Sequence, residues 1–220
     1  FPELRDHPVV LERLLGMLRA TVFAPGLLEA HAEGFARIRE AYPWDPLSRV
    51  SSHNDPNPRN ILFDGERVWL VDWETAYRND PWVDVAIVAE NFAPTPELED
   101  ALVLAWLGVA PDAEIRARLR LMRVLTRLYY AGLLLMIGTA GRTDGPITDL
   151  STPSESEFRT ALAAGTIAPA GADTIIMVGK MQLARFLEGV ADPAVTSALR
   201  ILRHARLPGP GRALPWRRNA

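Results

Sequence analysis

The 220-residue sequence predicts an α+β fold, predominantly helical, with one short β-hairpin. Three observations predict it. Apolar residues recur at helical spacing over most of the chain, as in residues 8–20 (PVVLERLLGMLRA). Two apolar runs, Asn60-Ile61-Leu62-Phe63 and Val68-Trp69-Leu70-Val71, flank a turn-forming Asp64-Gly65, which is a strong hairpin signal. A composition of 48% hydrophobic and 23% charged residues is ordinary for a globular chain with a sizeable core.

Each element follows from a local signal. Residues 8–20 read as a first helix and residues 27–42, carrying His31, Phe35 and Ile38, as a second. Pro43-Trp44-Asp45-Pro46 breaks that helix and leads to the hairpin. Pro56 disfavours the helical region for Asp55 and Pro58 fixes a second backbone angle, so the loop before the hairpin is expected to be extended and stiff. Residues 85–91 form the next helix, and Thr95-Pro96-Glu97 opens another that runs to about Leu107, with proline in its favoured first turn. Pro111-Asp112 starts the longest helix, residues 113–139, whose apolar content from Leu119 to Ile137 predicts burial on most sides. Residues 141–153 are turn-rich and are the candidate mobile loop. Helices over 155–164, 174–190 and 193–206 complete a body of residues 1–207, and Pro208-Gly209-Pro210-Gly211 ends it, with residues 208–220 expected to be disordered.

Charge and composition exclude several classes. With no cysteine there are no disulfides and no thiolate metal sites. The longest strongly apolar stretch, residues 131–137, is too short to cross a bilayer, and the N-terminus carries no signal pattern, so no membrane association and a cytoplasmic location are expected. A net charge of -3 gives no general attraction to nucleic acid. Arg200, Arg203, Arg206, Arg212, Arg217 and Arg218 span a helix end and a tail with a single aromatic, Trp216, and read as a solvated basic terminus.

The segment carrying chemistry is residues 53–74, HNDPNPRNILFDGERVWLVDWE. A hairpin brings its ends together, so Asn60 and Asp72 become neighbours although twelve positions apart. Asp72 offers a carboxylate and Asn60 a neutral carbonyl oxygen, the hard oxygen donors that Mg²⁺ takes together with substrate phosphates. Asp55 is then free of the metal and able to orient an attacking hydroxyl and accept its proton. Taken singly, each of these residues would more often cap a loop; order, spacing and flanking strands together point to a site.

His53-Asn54-Asp55, Asn60, Val71-Asp72-Trp73-Glu74 and Asp84-Val85-Ala86 resemble the catalytic segment of the aminoglycoside phosphotransferase and choline kinase superfamily, small-molecule relatives of the protein kinases. The resemblance covers residues 53–86, and the spacing from Asp55 to Asn60 is that of the catalytic loop H-R-D-x-x-x-x-N. It implies Asp55 as catalytic base, Asn60 and Asp72 as Mg²⁺ ligands, Asp84 as a buried brace of the catalytic loop and His53 as its packing and hydrogen-bonding partner. Glu74 matches an acidic position that often follows the metal aspartate, a candidate contact for a second ion or the substrate. The chain departs from the pattern at Pro56, where leucine is common.

The resemblance also implies ATP, whose phosphates such kinases hold with a lysine on a strand before the catalytic loop. Of the 24 basic residues only Lys180 is a lysine, far downstream, and no glycine-rich phosphate loop occurs. The expectation is therefore a C-terminal lobe alone, with a catalytic loop and metal site at 53–74, a helical substrate subdomain at 85–207 and no N-lobe in this chain. Phe1 is not a methionine, so the natural start is expected upstream.

The acceptor implied is a small hydroxylated cationic metabolite, choline or ethanolamine ahead of an aminoglycoside. Cation-π contact would use aromatics such as Trp82 and Tyr130, and carboxylates such as Glu90 would meet a polycation. Alternatives are a non-catalytic binding module that keeps the pocket without nucleotide grip, and a metal-dependent phosphohydrolase using the same carboxylates on water.

Overall fold

A computed structural model of the chain describes residues 6–205; the tail at 208–220 and the last residue of the 193–206 helix lie outside them. The described residues fall into two compact units, one of residues 6–7, 40–126 and 193–205, the other of 8–39 and 127–192.

The first unit holds both small sheets and the site. A pair of strands too short for a periodic signal, β1 (Val50–Ser52) and β4 (Tyr77–Asn79), runs antiparallel with Ser52 opposite Tyr77. Between them lies the hairpin, β2 (Ile61–Phe63) and β3 (Val68–Leu70), with Ile61 opposite Leu70 and Phe63 opposite Val68. Asn60, read as the first strand residue, instead ends a 3-10 turn (Pro58–Asn60) that the Asn57 side chain caps by accepting from Arg59 N. The turn between the strands is closed by Asp64, whose Oδ1 accepts from the backbone N–H of Glu66 and Arg67, while Gly65 takes a φ of 104°.

Helices then cover this platform. Helix α3 (Trp82–Phe92) starts earlier than the apolar periodicity suggested, because Asp80 Oδ1 accepts from Trp82 N at 2.9 Å. Helix α4 (Pro96–Leu107) begins under a Thr95 cap with Pro96 in its first turn, and ends at Gly108 in the left-handed region. Helix α5 (Ala113–Gly138) takes its 26 residues from both units. By length and composition α5 could cross a membrane, contrary to the expectation from its shorter apolar run, but 61% of its most apolar window is buried, the pattern of a core helix. Trp82, Ile87, Leu119, Met122 and Leu125 are among the fully buried side chains of this unit, each contributing roughly 1.5–3 kcal/mol of burial. Helix α8 (Pro193–Ala205) turns Val195, Ala198, Leu199 and Leu202 inward.

The second unit is built of helices and the loops between them, with no named strand among the described residues. Helix α1 (His7–Met17) is shorter than expected because the chain continues as a π-helical segment (Leu18–Val22). It is followed by α2 (Glu29–Ala41), α6 (Glu155–Ala163) and α7 (Ala172–Ala191). Ser154 and Glu157 close a capping box at the start of α6, a Ser-x-x-Glu signal legible in the sequence. The candidate mobile loop is anchored at its middle, where Ile147 N donates to Val22 O and Ala24 N donates to Ile147 O.

Candidate active site

The site is assembled by three kinds of contact, beginning with the hairpin ladder. Beyond its last strand pair, Val71 N donates to Asn60 O at 3.0 Å, which sets Asn60 beside the start of the segment carrying Asp72. Asp72 has φ 63° and ψ 62°, a left-handed conformation costing about 1–2 kcal/mol for a residue with a Cβ. Its carboxylate is exposed and makes no hydrogen bond or ion pair among the described residues. Backbone strain at a group left unpaired is characteristic of functional positions.

The loop carrying Asp55 is held from below. Asp84, in the first turn of α3, accepts from His53 N at 2.8 Å and from Asn54 N at 2.7 Å. Burial pushes the Asp84 carboxyl above the usual carboxylate range, and the two N–H bonds pull it back. His53 Nε2 lies 2.8 Å from Val71 O, so that nitrogen donates; Nδ1 then accepts from Asp55 N at 3.3 Å. The imidazole, packed on Trp73 with centroids 4.7 Å apart, thus ties the loop of Asp55 to Val71, the residue just after β3 and just before Asp72.

Asp55 and Asn60 form the third contact. Asn60 Nδ2 donates to both the backbone carbonyl and the carboxylate Oδ2 of Asp55, at 2.9 and 3.1 Å. That leaves the Asn60 side-chain carbonyl oxygen without a hydrogen-bond partner among the described residues, as the Asp72 carboxylate is. One amide oxygen and one carboxylate make a donor set suited to Mg²⁺ provided phosphate and water oxygens complete the shell. Among the described residues no cluster of three or more His, Asp or Glu side chains could hold a metal on its own.

Such a loop and hairpin on a helical body is the architecture of a kinase-like fold. The model of the phosphotransferase enzyme family matches residues 3–122, and the chain belongs to that family. Its fold is similar to that of a choline/ethanolamine kinase family protein from Mesorhizobium loti, with a TM-score of 0.66 at 20% identity over 93% of this chain and 60% of that one. It is also similar to an ethanolamine kinase of Plasmodium vivax, with a TM-score of 0.53 at 13% identity over 90% of this chain and 52% of that one. An uncharacterised protein of Metamycoplasma hominis is 37% identical over 82 residues, 36% of this chain and 16% of that protein. The chain therefore spans less than two thirds of the length of each of these proteins.

The remaining sequence candidates are placed less favourably. Trp82 is 1% exposed and packs edge-on against Trp106 with centroids 4.9 Å apart, so its expected cation contact is corrected to a core role. Glu90 accepts from Arg123 at 2.9 Å, and Arg123 also reaches Glu99 at 2.6 Å; the guanidinium thus joins α3, α4 and α5, and the Glu90 carboxylate is spent on it and not held out to a polycation. Tyr130 lies in the other unit, half-buried against Tyr129. Glu74 is exposed in the 3-10 turn (Trp73–Thr75) that follows Asp72. What the sequence reading missed is a buried asparagine pair, Asn54 and Asn79, joined at 2.7 Å directly behind the site. The signal was available in Asn54, since asparagine is the side chain most at ease at positive φ and here has φ 66°.

Proposed function

We propose that the protein transfers the γ-phosphoryl group of ATP to a hydroxyl of a small cationic metabolite, choline- or ethanolamine-like ahead of aminoglycoside-like. The observation that carries this reading is the Asn60 amide clamped on Asp55, which orients the carboxylate proposed to meet the acceptor and keeps the Asn60 carbonyl, with Asp72, for the metal. The acceptor oxygen forms the new O–P bond, the bond between the γ-phosphorus and the bridging oxygen breaks, ADP leaves, and the acceptor proton passes to the Asp55 carboxylate. Mg²⁺, held by Asn60 and Asp72 and with Glu74 as a further candidate, would neutralise charge on the phosphates. The names of the two kinase relatives favour an amino alcohol as acceptor.

The hairpin supports a nucleotide on this side of the site. The cross-strand pair Leu62 and Trp69 is exposed on one face of the hairpin and the pair Phe63 and Val68 on the other, and either apolar surface is suited to a purine ring. ATP as donor also supports a cytoplasmic location. The test is phosphoryl transfer from labelled ATP to choline and ethanolamine by the full-length protein, with Asp55→Ala alongside. Loss of transfer in that variant is expected; full activity would overturn the role of Asp55.

A further inference from the structure

We propose that Asn54 is a positioning residue that locks the loop of Asp55 to the segment following Asp72, so that base and metal carboxylate are held as one rigid unit. This rests on the roles given above to Asp55 and Asp72. The side chain of Asn54 is 1% exposed, so it touches no substrate. Its Nδ2 donates across to Ser52 O at 3.2 Å, Thr75 O at 3.0 Å and Tyr77 O at 3.2 Å. Its Oδ1 accepts from Asn79 Nδ2 at 2.7 Å, and its backbone N–H is taken by Asp84.

The direction of these bonds gives the device its purpose. Asp55 is the next residue after Asn54, and Thr75 lies three residues after Asp72. Two amide protons serve three carbonyls, one on β1, one in the turn after Asp72 and one on β4, so a single side chain spans both catalytic segments. Thr75 Oγ1 returns the contact by donating to His53 O at 3.0 Å. Asn79 is fixed in turn, its Oδ1 accepting from Asp80 N at 2.8 Å. Only a short side chain that tolerates φ 66° and carries both a donor and an acceptor meets these demands. Glycine would keep the backbone and lose the lock, whereas aspartate would keep the shape and set an acceptor against three carbonyls.

The test uses the full-length protein with Asn54→Gly, Asn54→Asp and Asn79→Ala, and Asp55→Ala as a control. Amide hydrogen exchange is read at residues 52–57 and 72–79 together with kcat and KM for ATP and acceptor. Faster exchange in both segments at once is expected in each Asn variant, with kcat falling about 10–100-fold while KM stays within about 3-fold. Asn79→Ala leaves the loop sequence intact and serves where Asn54 variants fail to fold. Exchange that rises only at 52–57, or kcat unchanged in folded variants, would overturn the proposal. Full activity of Asp55→Ala would instead overturn the assignment of the base, and the exchange result would still decide whether Asn54 couples the two segments.

Discussion

Asn60 holds Asp55 by two bonds from one amide, 2.9 Å to the carbonyl and 3.1 Å to the carboxylate, so the orientation of the proposed base and of the proposed metal ligand is set by the same side chain. Asn60→Asp should therefore do more harm than loss of a ligand. It replaces the donor with a second carboxylate facing Asp55, and like charges at this separation repel. We expect phosphoryl transfer to fall at least about 100-fold in both Asn60→Asp and Asn60→Ala. Urea unfolding separates them: the Asp variant should lose about 1–3 kcal/mol more than the Ala variant. Equal stability would mean that Asn60 does not face the Asp55 carboxylate.

Asp84 offers a second test because its two oxygens each take one backbone N–H of the catalytic loop. In Asp84→Asn one of those N–H groups meets an amide NH₂ and is left without an acceptor in a largely buried place. The expected cost is about 1–3 kcal/mol of stability, with a larger proportional loss of turnover because the loop carrying Asp55 is freed. Chemical unfolding and initial rates on the same preparations check it. A loss of stability with turnover per folded molecule unchanged would limit Asp84 to a structural role.

The elements legible in the sequence were those with long periodic or capped signals. Helices α4 and α5 came within a residue or so because Thr95, Pro96, Pro111 and Asp112 mark their starts. The hairpin followed from Asp64-Gly65 between apolar runs. Strands β1 and β4 were not legible, since three residues each give no period and their pairing joins positions 50 and 79. The site residues could be named from spacing, but not which of the outlying candidates would be engaged elsewhere: nothing local tells that Arg123, 33 positions on, takes up Glu90. Burial by tertiary contact likewise removed Trp82 from the surface.

Two buried ionisable groups in the first unit give stability an unusual pH response. Burial lowers His7 from 6.5 to about 4 and raises Asp80 from 3.8 to about 6. The His7 contribution is full above pH 6.5 and is lost as pH falls toward 4, because the unfolded chain takes up that proton first. The Asp80 contribution runs the other way: it is full below pH 3.8 and is lost as pH rises through about 6, when the carboxylate must ionise among Tyr42, Trp82 and Arg118. Between about pH 4 and 6 the two oppose each other. Relative to the natural protein, Asp80→Asn should lose stability on acidification through this window by on the order of 3 kcal/mol, and His7→Asn should gain on a similar scale. Urea unfolding across the window checks the signs; parallel profiles for all three proteins would show that neither group is buried in its ordinary state.

Two glycines in helices should respond to alanine with opposite signs. Gly16, inside α1, has open space where a Cβ would stand, so Gly16→Ala costs nothing in packing and removes backbone freedom from the unfolded chain. It should stabilise by about 0.5–1 kcal/mol. Gly179, inside α7, lets that helix approach the second half of α5 so closely that a Cβ would lie 2.7 Å from Leu135 Cγ, 3.1 Å from its Cδ2 and 3.3 Å from its backbone nitrogen. Leu135 is fully buried and has little room to turn away, and the backbone nitrogen behind it has none. Gly179→Ala should therefore gain the same helix propensity but lose about 1–3 kcal/mol to overpacking, for a net destabilisation. Thermal or urea unfolding of the two variants side by side reads the difference directly. Stabilisation by both would mean that α5 and α7 are not in contact at Leu135, because propensity alone would then decide the sign.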